Sequence, residues 1–364
     1  MGYVSKRVNI IFTGGTIAGN VAQSSVSSNI KSEPGEFIGI IEKSIEIIKS
    51  NWNIEIYPSF TELFNVDSSS INPEHWTRII DNITETYDEF DSFIVMHGTN
   101  TMGYTAAALS FALQNINKAV IITGAQVPLG YLGSDSTTNL VNSLRMAVWD
   151  YNEVKGVMAV FGSKIITGTR VKKGTDFDYD PFSSFQTGTL GQIGRFMKID
   201  NAALSKHVSY LSKYKALAIQ SRVLSVKNRF ITDGIVSLTE FPGMQSSIIK
   251  SLVENNNASA FILRSFGAGD PNESLYEAFE YLKEKRIPIV VTTQAPGGLA
   301  NFQVNASGKY LKDNNLAIPA YDMSMEAMTT KLAWLMGQNK TYEEIISTMT
   351  EDLHGEIHVG SELI

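Results

Sequence analysis

Short apolar runs that end in glycine alternate with longer stretches of helical periodicity, and few folds accept that rhythm. In the first half the runs are "RVNIIFTGG", "FDSFIVMHGT", "AVIITGAQVP" and "GVMAVFGSKI". Between them lie "PEHWTRIIDNITETY", with Pro73 suited to a helix start, and "GYTAAALSFAL". A further segment, "STTNLVNSLRMAVWDY", sets Leu140, Leu144 and Val148 at helical spacing. Strands alternating with helices predict a doubly wound, mostly parallel sheet, and hence an α/β fold. A second set follows: "DGIVSLTEFPGM", "ASAFILRSFGAGD" and "IPIVVTTQAPGG" as strands, with "ESLYEAFEYLKEKR" and "SMEAMTTKLAWLMGQ" as helices. The expected division is an N-terminal catalytic α/β domain over residues 1–205, a linker over 206–228 and a smaller C-terminal parallel-sheet domain over 229–364.

Composition narrows the chemistry. A chain of 364 residues is long enough for two domains and a sizeable core. Hydrophobic residues make up 43% and charged residues 18%, a globular balance. The net charge of −7 argues against a nucleic-acid partner. With no cysteine, disulfides, thiol catalysis and thiolate metal sites are excluded. The five histidines, His75, His97, His207, His354 and His358, include no set of three at metal-ligand spacing, so neither metal nor cofactor is expected. No apolar run approaches a membrane span, and "MGYVSKRVNIIFTGG" is too short to be a secretory signal. Lys6 stands where a myristoylation site requires Ser or Thr. The expectation is a soluble cytoplasmic protein.

Ligands of open α/β sheets bind beyond the carboxyl ends of the strands. The polar clusters there are "TGGTIAG", "VDSSSINPEHW", "HGTNTM" and "GTRVKKGTD". Gly14, Gly15 and Gly19 lack dinucleotide-binding spacing, and no lysine follows as in a phosphate loop. What remains is a hydroxyl, Thr16, on a glycine turn; catalytic nucleophile and ordinary turn threonine both fit. Thr99 presents a second hydroxyl in the same topological place. A hydroxyl needs a base before it attacks. His97 at the strand end suits a hydrogen-bonded core position better than a base, which leaves Lys172 or Lys173 as activator.

The motifs "TGGTIAG", "HGTNTM" followed by "YTA", and "TGAQVPLGYLGSDSTTNL" resemble the bacterial L-asparaginase family of amidohydrolases. So do "FPGM", "LRSFGAGD" and "YDMSMEAMTTKL", in the family's order across nearly the whole chain. "VDSSSINPEHW" and "LHGEI" are similar to the cytoplasmic type I branch. The resemblance implies a larger flavodoxin-like N-terminal domain, a smaller C-terminal α/β domain, and assembly as a homodimer or homotetramer. It implies hydrolysis of a small-molecule side-chain amide through an acyl-threonine, with Thr16 as nucleophile and Thr99 as second catalytic threonine. The family's Gly-x-Arg-x-x-Lys run falls on Gly168, Arg170 and Lys173, which selects Lys173. Ser68 and Ser69 match the substrate-binding pair, joined by Gly15 and Gly98 beside the two threonines. Arg264 matches a position that some type I members use for an allosteric asparagine; a structural arginine serves equally there.

Two positions depart from the family. Its motif reads His-Gly-Thr-Asp-Thr, and here the fourth residue is Asn100. Asparagine nearly keeps the shape but loses the charge that pairs with a substrate α-ammonium, while still counting as a catalytic and substrate-binding position. The loop "NVAQSSVSSNIKSEPGEF" also lacks the family's lid tyrosine. Three readings follow: an amidohydrolase for an asparagine-like, N-acylated or peptidyl substrate; an L-asparaginase with an engineered, inactivating Asp-to-Asn change at Asn100; or a non-catalytic binding protein on this fold. The tRNA-dependent amidotransferase subunits that share the fold fit the negative charge less well.

Overall fold

A computed structural model describes residues 3–15, 34–149, 154–204 and 224–358. They fall into two compact units, residues 1–228 and 229–364. The strands of the first unit are β1 (Val4–Phe12), β2 (Ile54–Glu62), β3 (Ser92–Met96), β4 (Leu113–Gln114), β5 (Ala119–Thr123) and β6 (Gly156–Phe161). Then come β7 (Lys164–Thr167), β8 (Val171–Lys173), β9 (Phe182–Ser184), β10 (Gly191–Ile193), β11 (Met197–Ile199) and β12 (Ser225–Val226). The helices are α1 (Pro34–Trp52), α2 (Pro73–Glu85), α3 (Met102–Ala112) and α4 (Ser136–Ala147).

The main sheet runs β11-β10-β7-β6-β5-β3-β1-β2. Its core, β6 to β2, is parallel throughout, whereas β7, β10 and β11 add an antiparallel arm. "GVMAVFGSKI" is therefore a strand, a two-residue turn and the start of a return strand, not one element. Apolar side chains alternate between two buried faces, which suits parallel strands covered on both sides. Val8, Ile10, Ile94, Met96, Ile121, Met158 and Val160 share a core with Ile41 and Ile48 of α1 and Leu140 and Leu144 of α4. α2 and α3 pack against each other, with α3 against the sheet. α3 is buried nearly all round, which its run of alanines permits.

Pro73 opens α2, and Asn72 caps it by accepting from the amides of Glu74 at 3.1 Å and His75 at 3.3 Å. Most of the expected linker lies outside the described residues. Its last part packs on the first unit: β12 pairs with β4, and Asn228 O accepts from Thr77 Oγ1 at 2.9 Å.

The second unit has a parallel four-stranded sheet in the order β13 (Ile235–Thr239), β14 (Ala260–Ser265), β15 (Ile289–Thr293), β16 (Ile318–Pro319). Its helices are α5 (Ser246–Asn256), α6 (Tyr276–Glu284), α7 (Ala306–Asp313), α8 (Met325–Gly337) and α9 (Tyr342–Met349). A fully buried ion pair, Lys331 Nζ to Glu356 Oε1 at 2.7 Å, ties α8 to the C-terminal segment. Lys331 also donates to Met349 O at 3.2 Å and to Glu351 O, while Glu356 accepts from the amides of Leu353 at 3.0 Å and His354 at 2.7 Å.

Candidate active site

The chain leaves β1 toward β2 on one side and returns to β3 on the other. The carboxyl ends of β1 and β3 therefore flank the crevice where the winding reverses, the ligand position of such sheets. The register pairs Phe12 with Met96, so the turn after β1 and the turn after β3 emerge at one level. Thr13 joins them, donating to Met96 O from its amide at 3.1 Å and from Oγ1 at 2.8 Å.

Glycine is what lets the two turns touch. Gly15 has φ +82°, and a Cβ there would lie 2.4 Å from Gly98 Cα. A Cβ on Gly98 would lie 2.6 Å from Ser68 Oγ. Thr16, the expected nucleophile, and the expected lid loop after it lie outside the described residues.

Ser68 and Ser69 sit in a 3-10 turn, Ser68–Ser70, whose cap Asp67 accepts from the Ser69 amide at 2.7 Å. The turn is sewn to the β3 turn from several directions. The Asn100 amide donates to Ser68 Oγ at 3.2 Å, Thr101 Oγ1 donates to Ser68 O at 2.6 Å, and Asn100 Nδ2 donates to Ser69 Oγ at 3.2 Å.

Lys173 arrives from the opposite side on β8. The approach is a short 3-10 turn, Gly168–Arg170, with Arg170 buried. Lys173 Nζ donates to Thr99 Oγ1 at 2.9 Å and to Asn100 Oδ1 at 3.0 Å. Side chains alternate along a strand, so this geometry is specific to Lys173 and not to its neighbour Lys172. An ammonium only donates, which fixes the Asn100 amide with its oxygen toward Lys173 and its NH2 toward Ser69. Burial pushes the Lys173 ammonium below its ordinary range, with Asp176 opposing.

His97 is fully buried behind this cluster. Its Nδ1 is 2.7 Å from Gly98 O, and its Nε2 is 2.9 Å from Thr105 Oγ1, which accepts from Trp76 Nε1 at 3.1 Å. Burial lowers its pKa to about 4, so the ring is neutral near pH 7.

Gly15, Ser68, Ser69, Gly98, Thr99, Asn100 and Lys173 are thus brought together at one crevice. Arg264 lies on β14 of the second unit, where its carbonyl accepts from the Glu240 amide at 2.9 Å and Gln294 Nε2 at 3.1 Å. Sequence reasoning does not single out Thr101, Trp76 or Thr105. Thr101 carries a signal, its place in the same polar motif, whereas nothing in the sequence couples Trp76 to Thr105. Among the described residues no cluster of His, Asp or Glu fits a metal ion, and no helix is long and apolar enough to cross a membrane.

Residues 7–205 match the family model described as asparaginase, N-terminal, and residues 235–349 match the glutaminase/asparaginase C-terminal domain. L-asparaginase 1 of Escherichia coli is 32% identical over 295 residues, covering 80% of this chain and 82% of that protein. A glutamyl-tRNA(Gln) amidotransferase subunit of Pyrococcus abyssi is 29% identical over 356 residues, covering 96% of this chain and 76% of that protein. Among solved structures, L-asparaginase I from Vibrio cholerae superposes with a TM-score of 0.79 at 29% identity, covering 98% of this chain and all of that one (100%).

Proposed function

Because the chain belongs to the asparaginase family of amidohydrolases, we propose that it hydrolyses the side-chain amide of an asparagine-like substrate whose α-nitrogen is uncharged, as in an N-acylated or peptidyl asparagine. The observation that carries the substrate class is the state of Asn100. Its oxygen is taken by Lys173 and its NH2 faces Ser69, so this position offers an α-ammonium no negative charge. A charge-assisted hydrogen bond contributes roughly 1.5–3 kcal/mol, so a free amino acid loses at least about tenfold in binding or rate without it. An acylated nitrogen has no such charge to satisfy.

In this reading Thr16 attacks the amide carbon and its proton passes to Lys173, which must be neutral to receive it. The lowered pKa of Lys173 supports that role. Thr99 Oγ1, accepting from Lys173 in the resting site, keeps its own hydrogen to donate to the oxyanion; one such donor contributes about 3 kcal/mol. The proton returns to the leaving nitrogen, ammonia departs, and water hydrolyses the threonyl ester. Ser68 and Ser69 hold the substrate's α-carboxyl end, and the enzyme works in the cytoplasm as a homodimer or homotetramer.

One observation favours a second reading. Asn100 Oδ1 receives Lys173 as an aspartate carboxylate would, which fits an L-asparaginase in which asparagine stands in for aspartate. Ammonia release from asparagine, glutamine and N-acetylasparagine separates the cases. Preference for N-acetylasparagine is expected, and equal or better turnover of free asparagine overturns the N-blocked substrate. Ligand binding without ammonia from any of the three overturns the working hydrolase, and recovery of asparagine turnover in Asn100→Asp then tells an inactivated L-asparaginase from a binding protein.

A further inference from the structure

Thr99 meets Lys173 from a peptide that is held from behind, and the bonds that hold it run in one direction. The Trp76 indole N–H only donates, and its acceptor is Thr105 Oγ1 at 3.1 Å. At the far end Gly98 O only accepts, so His97 Nδ1, 2.7 Å away, carries the ring hydrogen. A neutral ring then presents Nε2 as an acceptor, and Thr105 Oγ1, 2.9 Å away, donates to it. Every role from Trp76 through Thr105 and His97 to Gly98 is therefore fixed, across α2, α3 and the end of β3, with all three side chains buried. Gly98 O belongs to the planar peptide whose nitrogen is that of Thr99, so holding this oxygen sets the plane from which Thr99 projects. On its other side Gly98 is wedged against Gly15 and Ser68.

We propose that Trp76, Thr105 and His97 form a one-way hydrogen-bond relay that positions Thr99 for Lys173, with His97 a positioning residue and not a base. Its catalytic meaning rests on the amidohydrolase reading of Thr99 and Lys173. Both ring nitrogens face protein groups and the ring has no exposed surface, so no substrate proton reaches it. Small displacements of a reacting group cost up to about 100-fold in rate, which is the leverage such a relay has.

Two pairs of variants and one spectrum test the relay. T105V is isosteric but cannot donate; kcat should fall about 10- to 100-fold with KM changed less than about threefold, while T105S stays within about threefold of wild type. H97N places an amide nitrogen where Nδ1 sits, keeping the donor to Gly98 O, whereas H97Q places it at Nε2. H97N should retain roughly tenfold more kcat than H97Q. Equal kcat for H97N and H97Q, or wild-type kcat in folded T105V, overturns the positioning role. Histidine 15N spectra read the relay without turnover: His97 should be the Nδ1–H tautomer at pH 7. An Nε2–H tautomer or an imidazolium overturns the relay whatever the activity. If the spectrum is as expected but the wild type turns over no amide, the amidohydrolase reading fails, and the positioning role falls while the bonds themselves stand.

Discussion

Lys173 Nζ lies 2.9 Å from Thr99 Oγ1, although 74 residues of chain separate them. The contact joins a half-buried cation to a buried hydroxyl at the mouth of the reversal between β1 and β3. It defines what the crevice can do with protons, because among the described residues Lys173 is the lysine bonded there and Asn100 does not titrate.

Lys173→Arg keeps a cation and donors but never becomes neutral. Ammonia release should fall at least about 100-fold, the usual contribution of a positioned base. Retained activity would remove Lys173 from the proton path.

The pH dependence has a definite sign. On the proposed mechanism the neutral lysine is the active form, so kcat should rise with pH through the Lys173 pKa and then level. Burial lowers that pKa, so the rising limb should fall below the ordinary lysine value of about 10.4. A pH–rate profile in which kcat falls across this limb contradicts the assignment.

Asn100→Asp places a carboxylate 3.0 Å from Lys173 Nζ, where the amide oxygen now sits. Two changes should appear together. Free asparagine should gain at least about tenfold in kcat/KM. The rising limb should also move to higher pH, because a neighbouring negative charge stabilises the ammonium. The kinetics of both substrates across pH read each change separately.

Lys331→Met in the second unit removes the cation paired with the buried Glu356 carboxylate, which should cost about 3–5 kcal/mol of stability, measured by denaturant unfolding. Burial pushes the Glu356 carboxyl up, but Lys331, His354 and the Leu353 amide outweigh it and hold its pKa at about 2. A carboxyl depressed below its unfolded value of about 4.3 stabilises above that pH, and the contribution is lost as pH falls through about 2. Wild-type stability should therefore decline across that acid window, and the decline should be smaller in K331M.

Strands β3, β5 and β6 are legible in the sequence because burial on both faces makes each a near-continuous apolar run, and β1 is legible through its buried second half. β2, "IEIYPSFTE", is not: it is an edge strand with Pro58 and exposed Tyr57 and Phe60, so its composition reflects one partner only. The antiparallel arm escapes sequence reading because β7, β10 and β11 are three or four residues each and owe their form to their neighbours. The convergence of Ser68, Thr99, Asn100 and Lys173 is legible in outline, as polar clusters at strand ends, but the choice of these residues comes through resemblance, since no periodicity connects positions so far apart. The relay behind them is not, because Trp76 and Thr105 each read as an ordinary helix residue.

The bare meeting of Gly15 with Gly98 has a consequence for how the site can change. Backbone lies on backbone there, so a methyl group on Gly15 must wedge the two strand ends apart, while one on Gly98 is driven first into the Ser68 side chain. The turn that leads to Thr16, the proposed nucleophile, and the turn that carries Thr99 thus share one joint. The two glycines touch, so the effects of substituting them should couple and not simply add. Side chains at the rim, such as Asn100, can change without disturbing this joint, whereas a side chain at Gly15 cannot be added without moving backbone.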